Sequence, residues 1–89
     1  MRRIAVIAAV LEEPKKCQKV FNETLSMFNG IIKGRMGLPF EKEGVSVVSV
    51  TVAGELDAIN ALTGKLGNIP HVMVKTAVSN ELKQALNVC

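Results

Sequence analysis

The chain has no tryptophan, no tyrosine and only three phenylalanines among its 89 residues. A sheet that binds single-stranded RNA needs aromatic rings on its central strands to stack bases. The apolar runs that would form those strands here hold alanine, isoleucine, valine, serine and threonine, which argues against direct nucleic-acid contact. Cysteine is as scarce, with Cys17 and Cys89 the only two. A bacterial-type iron–sulfur cluster needs a dense run of cysteines, and a copper chaperone needs a pair near its first loop, where Cys17 stands alone. Their spacing offers neither a zinc site nor a disulfide framework, so the expected compartment is a reducing cytoplasm. His71 is the single histidine; a metal there would need further ligands from other copies of the chain. The segment "VLEEPKK" is acidic and holds no glycine, which excludes a backbone phosphate cradle of the acylphosphatase kind. No nucleophile–base pair or paired carboxylate site is evident, so no enzymatic activity, no metal and no cofactor are expected. Long apolar runs are missing too. After Arg2 and Arg3, "IAVIAAVL" is stopped by Glu12, Glu13 and Pro14, too soon for a membrane span or a targeting segment. Eleven lysines and arginines against eight acidic residues leave only a mild positive charge, a weak signal for a polyanionic partner.

What the chain does have is aliphatic packing material: 48% of its residues are hydrophobic, mostly Val, Ile, Leu and Ala. The segment 3–11 reads as a first strand rich in β-branched residues. Glu12, Glu13 and Pro14 open a helix, because acidic groups and Pro both suit a helix N-terminus. Cys17, Val20, Phe21, Thr24, Leu25 and Phe28 recur at helical spacing, and Asn29-Gly30 closes the helix with Gly30 as a left-handed cap. The segment 31–38 reads as a second strand in which Gly34 and Gly37 mark a bulge or a close backbone approach. "PFEKEG" is a hairpin loop, and 45–53 is a third strand. Gly54 leads into a second helix with Leu56, Ile59, Leu62 or Thr63, and Leu66 on one face, and "IPHVMVKTAVS" is the fourth strand. The order β-α-β-β-α-β predicts an α+β, ferredoxin-like sandwich: a four-stranded antiparallel sheet with two helices on one face. Right-handed crossovers place the first and third strands at its centre. Residues 1–79 form this domain, and 80–89 form a tail, a short helix or disordered.

Alternation along strands assigns the faces. Ile4, Val6, Ala8 and Val10 are expected under the helices with Val48, Val50, Val52, Val72 and Val74. Ala5, Ile7, Ala9, Val47, Ser49, Thr51, Met73 and Ala77 are expected on the open face. That second set is small or apolar, where an open sheet face ordinarily alternates to polar residues. A large exposed apolar patch marks an interaction surface, and a domain this small gains stability by association. A homo-oligomer, dimer or tetramer, with those eight residues at the interface, is the expectation. Lys33, Gly34, Arg35 and Gly37 are the candidate contacts for an anionic small molecule near a subunit seam; for Lys33 and Arg35, charged residues that discourage edge pairing are the alternative.

The stretches "PKKCQKVFNETLSMFNGIIKGRMGLP" and "GVSVVSVTVAGELDAINALTGKLGNIPHVMVKTAVS" closely resemble a family of small regulators of the iron-only hydrogenase system, a likeness that runs to about Ser79. That group is similar to the ACT domain, through Pro14, "NGIIKG" and "LGNIPHV", and to the C-terminal domain of the nickel-responsive repressor, through "VVSVTVAGELDAINALTGKLGNIPHV". The ACT likeness implies small effectors bound where subunits meet, although Lys15 stands where a glycine usually follows the proline. Nickel ligation is not carried over, because Val45-Ser46-Val47 replaces the cysteine of the third strand and the second strand has no histidine. The resemblance thus implies an oligomeric, ACT-like, effector-binding regulatory domain. Its rivals are an assembly factor that binds a protein partner, and a metal-binding module using His71, Cys17 or Cys89.

Overall fold

Two helices and four strands make up residues 2–80, the part of the chain that the computed structural model describes. In order they are β1 (Arg2–Leu11), α1 (Pro14–Ser26), β2 (Ile32–Phe40), β3 (Val45–Glu55), α2 (Leu56–Gly67) and β4 (Val72–Val78). The sheet is antiparallel throughout, in the order β2-β3-β1-β4, with β1 and β3 at the centre. This is the α+β, ferredoxin-like arrangement expected from the element order. Apart from Asn80, the expected tail lies outside the described residues.

Each helix buries one stripe. On α1, Cys17, Phe21, Thr24 and Leu25 are buried, spaced so that they stack on one face, whereas Val20 falls beside that stripe and is exposed. Pro14 occupies the first turn, where its missing N–H costs nothing. The buried Thr24 hydroxyl is satisfied by donating to the Val20 carbonyl at 2.8 Å. The helix ends at Ser26, four residues before Gly30, and its cap Met27 is right-handed. No left-handed residue forms there, so the expected Gly30 cap is corrected. The chain descends instead through a turn in which the Ile31 N–H donates to the Phe28 carbonyl. On α2, Ile59, Leu62 and Leu66 are buried, and Asp57 in its first turn and Lys65 in its last complement the helix dipole.

Under the helices, Val48, Val50 and Val52 are buried as expected, but β1 presents the opposite side from the one expected. Ala5, Ile7, Ala9 and Leu11 are each no more than 1% exposed. Their cross-strand partners explain this: Ala5 lies opposite Val52, Ile7 opposite Val50 and Ala9 opposite Val48, and directly opposed residues share a face. The two alanines leave volume for Phe21, Ile59, Leu62 and Leu66 in the same core cluster. Ala5, Ile7 and Ala9 are therefore core residues, and Ile4, Val6, Ala8 and Val10 take the open side.

β2 is longer than expected. Pro39 and Phe40 continue the strand opposite Ser46 and Val45, because an edge strand tolerates a proline that cannot donate to a ladder. The hairpin loop shrinks to residues 41–44, closed by Gly44, whose φ of 70° puts it in the left-handed region. Between Ile32 and Gly34 the register slips by one residue, so Lys33 is the extra residue of a β-bulge. His71 also has a left-handed φ, 71°, at the entry to β4, and its carbonyl accepts from the Glu12 N–H at 2.8 Å. At the other end of that strand pair Ser79 is held three ways: it donates to and accepts from the Ile4 backbone and accepts from the Arg3 guanidinium.

Candidate functional site

The open face of the sheet follows from the register. Leu38, Val47, Val10 and Met73 stand side by side across all four strands. The neighbouring rows are Met36, Ser49, Ala8 and Lys75, then Gly34, Thr51, Val6 and Ala77. Ile4 lies beyond them opposite Ala53, and Phe40 at the other end opposite Val45. Ile4, Val6, Met36, Leu38, Phe40 and Met73 are between 43% and 63% exposed. Of the residues expected on this face, Val47, Ser49, Thr51, Met73 and Ala77 are there. Ile4, Val6, Ala8 and Val10 stand there in place of Ala5, Ile7 and Ala9, and β2 adds Met36, Leu38 and Phe40. Sequence reasoning missed the β2 contribution: alternation within the expected strand 31–38 already placed Met36 and Leu38 opposite Lys33 and Arg35, and ending the strand before Pro39 left out Phe40. The face is oilier than expected.

The four candidate ligand contacts part company. The bulge at Lys33 and the turn of Gly34 toward the open face leave those two apart from Arg35 and Gly37, which lie on the helix side opposite Val50 and Val48. Arg35 and Gly37 line a cleft of about 240 Å³ between α1 and the β2 edge. Gly37 sits where any other residue would project a side chain into this space; a Cβ built there meets nothing within 4 Å. The apolar wall is Leu11, Phe21 and Val48, and the polar rim is Gln18, Asn22, Arg35 and Ser46. The Arg35 Nη2 donates to Asn22 Oδ1 at 3.0 Å, which fixes the guanidinium against α1. A second cleft of about 460 Å³ adjoins it at Pro39 and Ser46, between the start of α1 and the hairpin end.

The three residues raised as metal ligands do not gather. His71 is exposed, Cys17 is buried in the core, and Cys89 lies outside the described residues. Among the described residues no group of three His, Cys, Asp or Glu side chains converges. The Cys17 thiol donates to the Glu13 carbonyl at 3.3 Å, and burial pushes its pKa up, the behaviour of a core thiol. No helix among the described residues is long and apolar enough to cross a membrane.

Fold and sheet order thus define a ferredoxin-like α+β domain with a wide apolar face and a small cleft at one edge. Within that class the chain belongs to the family described as "TM1266-like: Iron-only hydrogenase system regulator, putative", whose model matches residues 3–76. The solved structure of the uncharacterized protein TM1266 from Thermotoga maritima is 32% identical, with a TM-score of 0.85, over 90% of this chain and 100% of that one. SnoaB, a cofactor-independent oxygenase from Streptomyces nogalater, is 12% identical with a TM-score of 0.57, over 98% of this chain and 100% of that one, a likeness of fold alone. No curated protein matches the chain.

Proposed function

We propose that the chain is a non-catalytic regulatory domain that works as a homo-oligomer, a dimer or tetramer in the cytoplasm, joined through its open sheet face and binding small effectors beside the subunit seam. The observation that carries this reading is the row Leu38, Val47, Val10 and Met73, apolar across the full width of the sheet and flanked by exposed Ile4, Val6, Met36 and Phe40. Soluble monomers rarely leave so continuous an apolar surface in water. Burial contributes roughly 25 cal/mol for each Å² removed from water, a large gain for a domain with a small core. The regulatory part of the reading is supported by the description of the family, and the non-catalytic part rests on the same description. Effector binding near the seam is supported by Leu38, which stands on the open face and also lines the cleft.

Melting the protein over a hundredfold range of concentration tests the assembly, since an oligomer's melting temperature rises with concentration. A melting temperature independent of concentration argues for a monomer. Screening amino acids, nucleotides and divalent metals by thermal shift then separates an effector-binding regulator, which responds saturably to one class, from an assembly factor, which responds to none and co-purifies with a protein.

A further inference from the structure

We infer that the cleft between α1 and the β2 edge is a site for a small organic carboxylate that carries no amino group. The inference rests on the effector-binding reading and gives its site a ligand class. Three observations define the occupant. Its anionic end is set by Arg35, whose planar fork matches a carboxylate with two parallel hydrogen bonds. Among the described residues the guanidinium has no carboxylate partner; it is bonded to the Asn22 amide, a neutral group that holds it in place and leaves its charge uncompensated. Gln18 and Ser46 on the same rim supply further donors. Its apolar end is set by Pro39 and Val48, with Leu11 and Phe21 almost fully buried behind them. Its size is set by the volume, about 240 Å³, below the range of roughly 300–1,000 Å³ that holds drug-sized ligands. A short branched or aromatic acid fits this space.

The lining also excludes the commonest small carboxylates. Among the described residues that line the cleft, Arg35 alone is charged, and none is an Asp or Glu. An α-ammonium group would enter beside a fixed guanidinium with no counter-charge, so an amino acid loses affinity relative to the acid of the same carbon skeleton. The space itself depends on Gly37, because a side chain at that position on the helix side of β2 would occupy it.

The test uses the whole chain, with isovalerate and valine as matched probes that differ in the amino group. Backbone amide shifts of Gln18, Asn22, Gly37 and Ser46 are followed by NMR during titration. Isovalerate is expected to move all four saturably, and valine to bind at least tenfold more weakly. Arg35→Gln is expected to weaken isovalerate by about tenfold or more, the loss of charge-assisted hydrogen bonds. Gly37→Val, which suits a strand and meets no atom at its Cβ, is expected to keep the fold and abolish binding by filling the cleft. Isovalerate that moves none of these amides at tens of millimolar overturns the inference, as does binding that survives Arg35→Gln or Gly37→Val unchanged. Valine binding as tightly as isovalerate overturns the ligand class. Failure here leaves the concentration dependence of melting unaltered, so the cleft and the assembly stand or fall separately.

Discussion

Gly54 shows how closely the chain is packed where β3 hands over to α2. A Cβ built at this buried position lies 2.6 Å from Ile31 Cγ2 and 3.2 Å from Ile31 Cβ. Ile31 is pinned, because its carbonyl accepts from the Ala53 N–H at 2.9 Å and its β-branched side chain has few rotamers to escape into. Gly54→Ala is expected to cost about 1–3 kcal/mol, the usual penalty of overpacking, read as a lower urea midpoint with an unchanged slope. A nearby core residue makes a prediction about pH. The Cys17 thiol is 2% exposed and its pKa is raised, chiefly by burial. The folded chain therefore holds its proton at a pH where the unfolded chain has begun to lose it, and stability falls as pH rises through the ordinary thiol range. With Cys89 replaced by serine, the remaining thiol should react with a disulfide reagent at pH 8 only as fast as the protein opens. Cys17→Ala should flatten the alkaline loss of stability. Modification at the rate of a free thiol would place Cys17 in solvent.

Element by element, β1 separates what the sequence could reveal from what it could not. Helix faces were legible because Phe21, Leu25, Ile59, Leu62 and Leu66 recur against polar neighbours, and the strand order followed from connection rules. β1 has no polar neighbours to break the tie: Ile4, Val6, Ala8 and Val10 are as apolar as Ala5, Ile7, Ala9 and Leu11. The choice is made by the partner strand, whose valines at 48, 50 and 52 meet Ala9, Ile7 and Ala5. The candidate ligand site was half legible for a related reason. Arg35 and Gly37 keep the alternation that sequence assumes, but the bulge at Lys33 breaks it on the N-terminal side, and a bulge is set by pairing rather than composition. The assignment makes opposite forecasts for two neighbours. Ile7→Glu buries a carboxylate in the core and should cost on the order of 4 kcal/mol or more, enough to unfold a domain of this size in far-ultraviolet circular dichroism. Val6→Glu places the same charge on the open face and should keep the native spectrum. The reverse pattern would restore the face expected from alternation alone.

At the scale of the whole molecule, a single small core carries the fold, and an apolar surface nearly as wide as the sheet lies opposite it. Helices cover one face of the sheet, and we propose that another copy of the chain covers the other. Sedimentation equilibrium of the wild type and of Val6→Glu at micromolar concentration tests this most directly. The wild type is expected at twice or four times the single-chain mass, and Val6→Glu as a folded single chain. A wild type that sediments as one folded chain, with Val6, Val10 and Met73 open to solvent, would contradict the account.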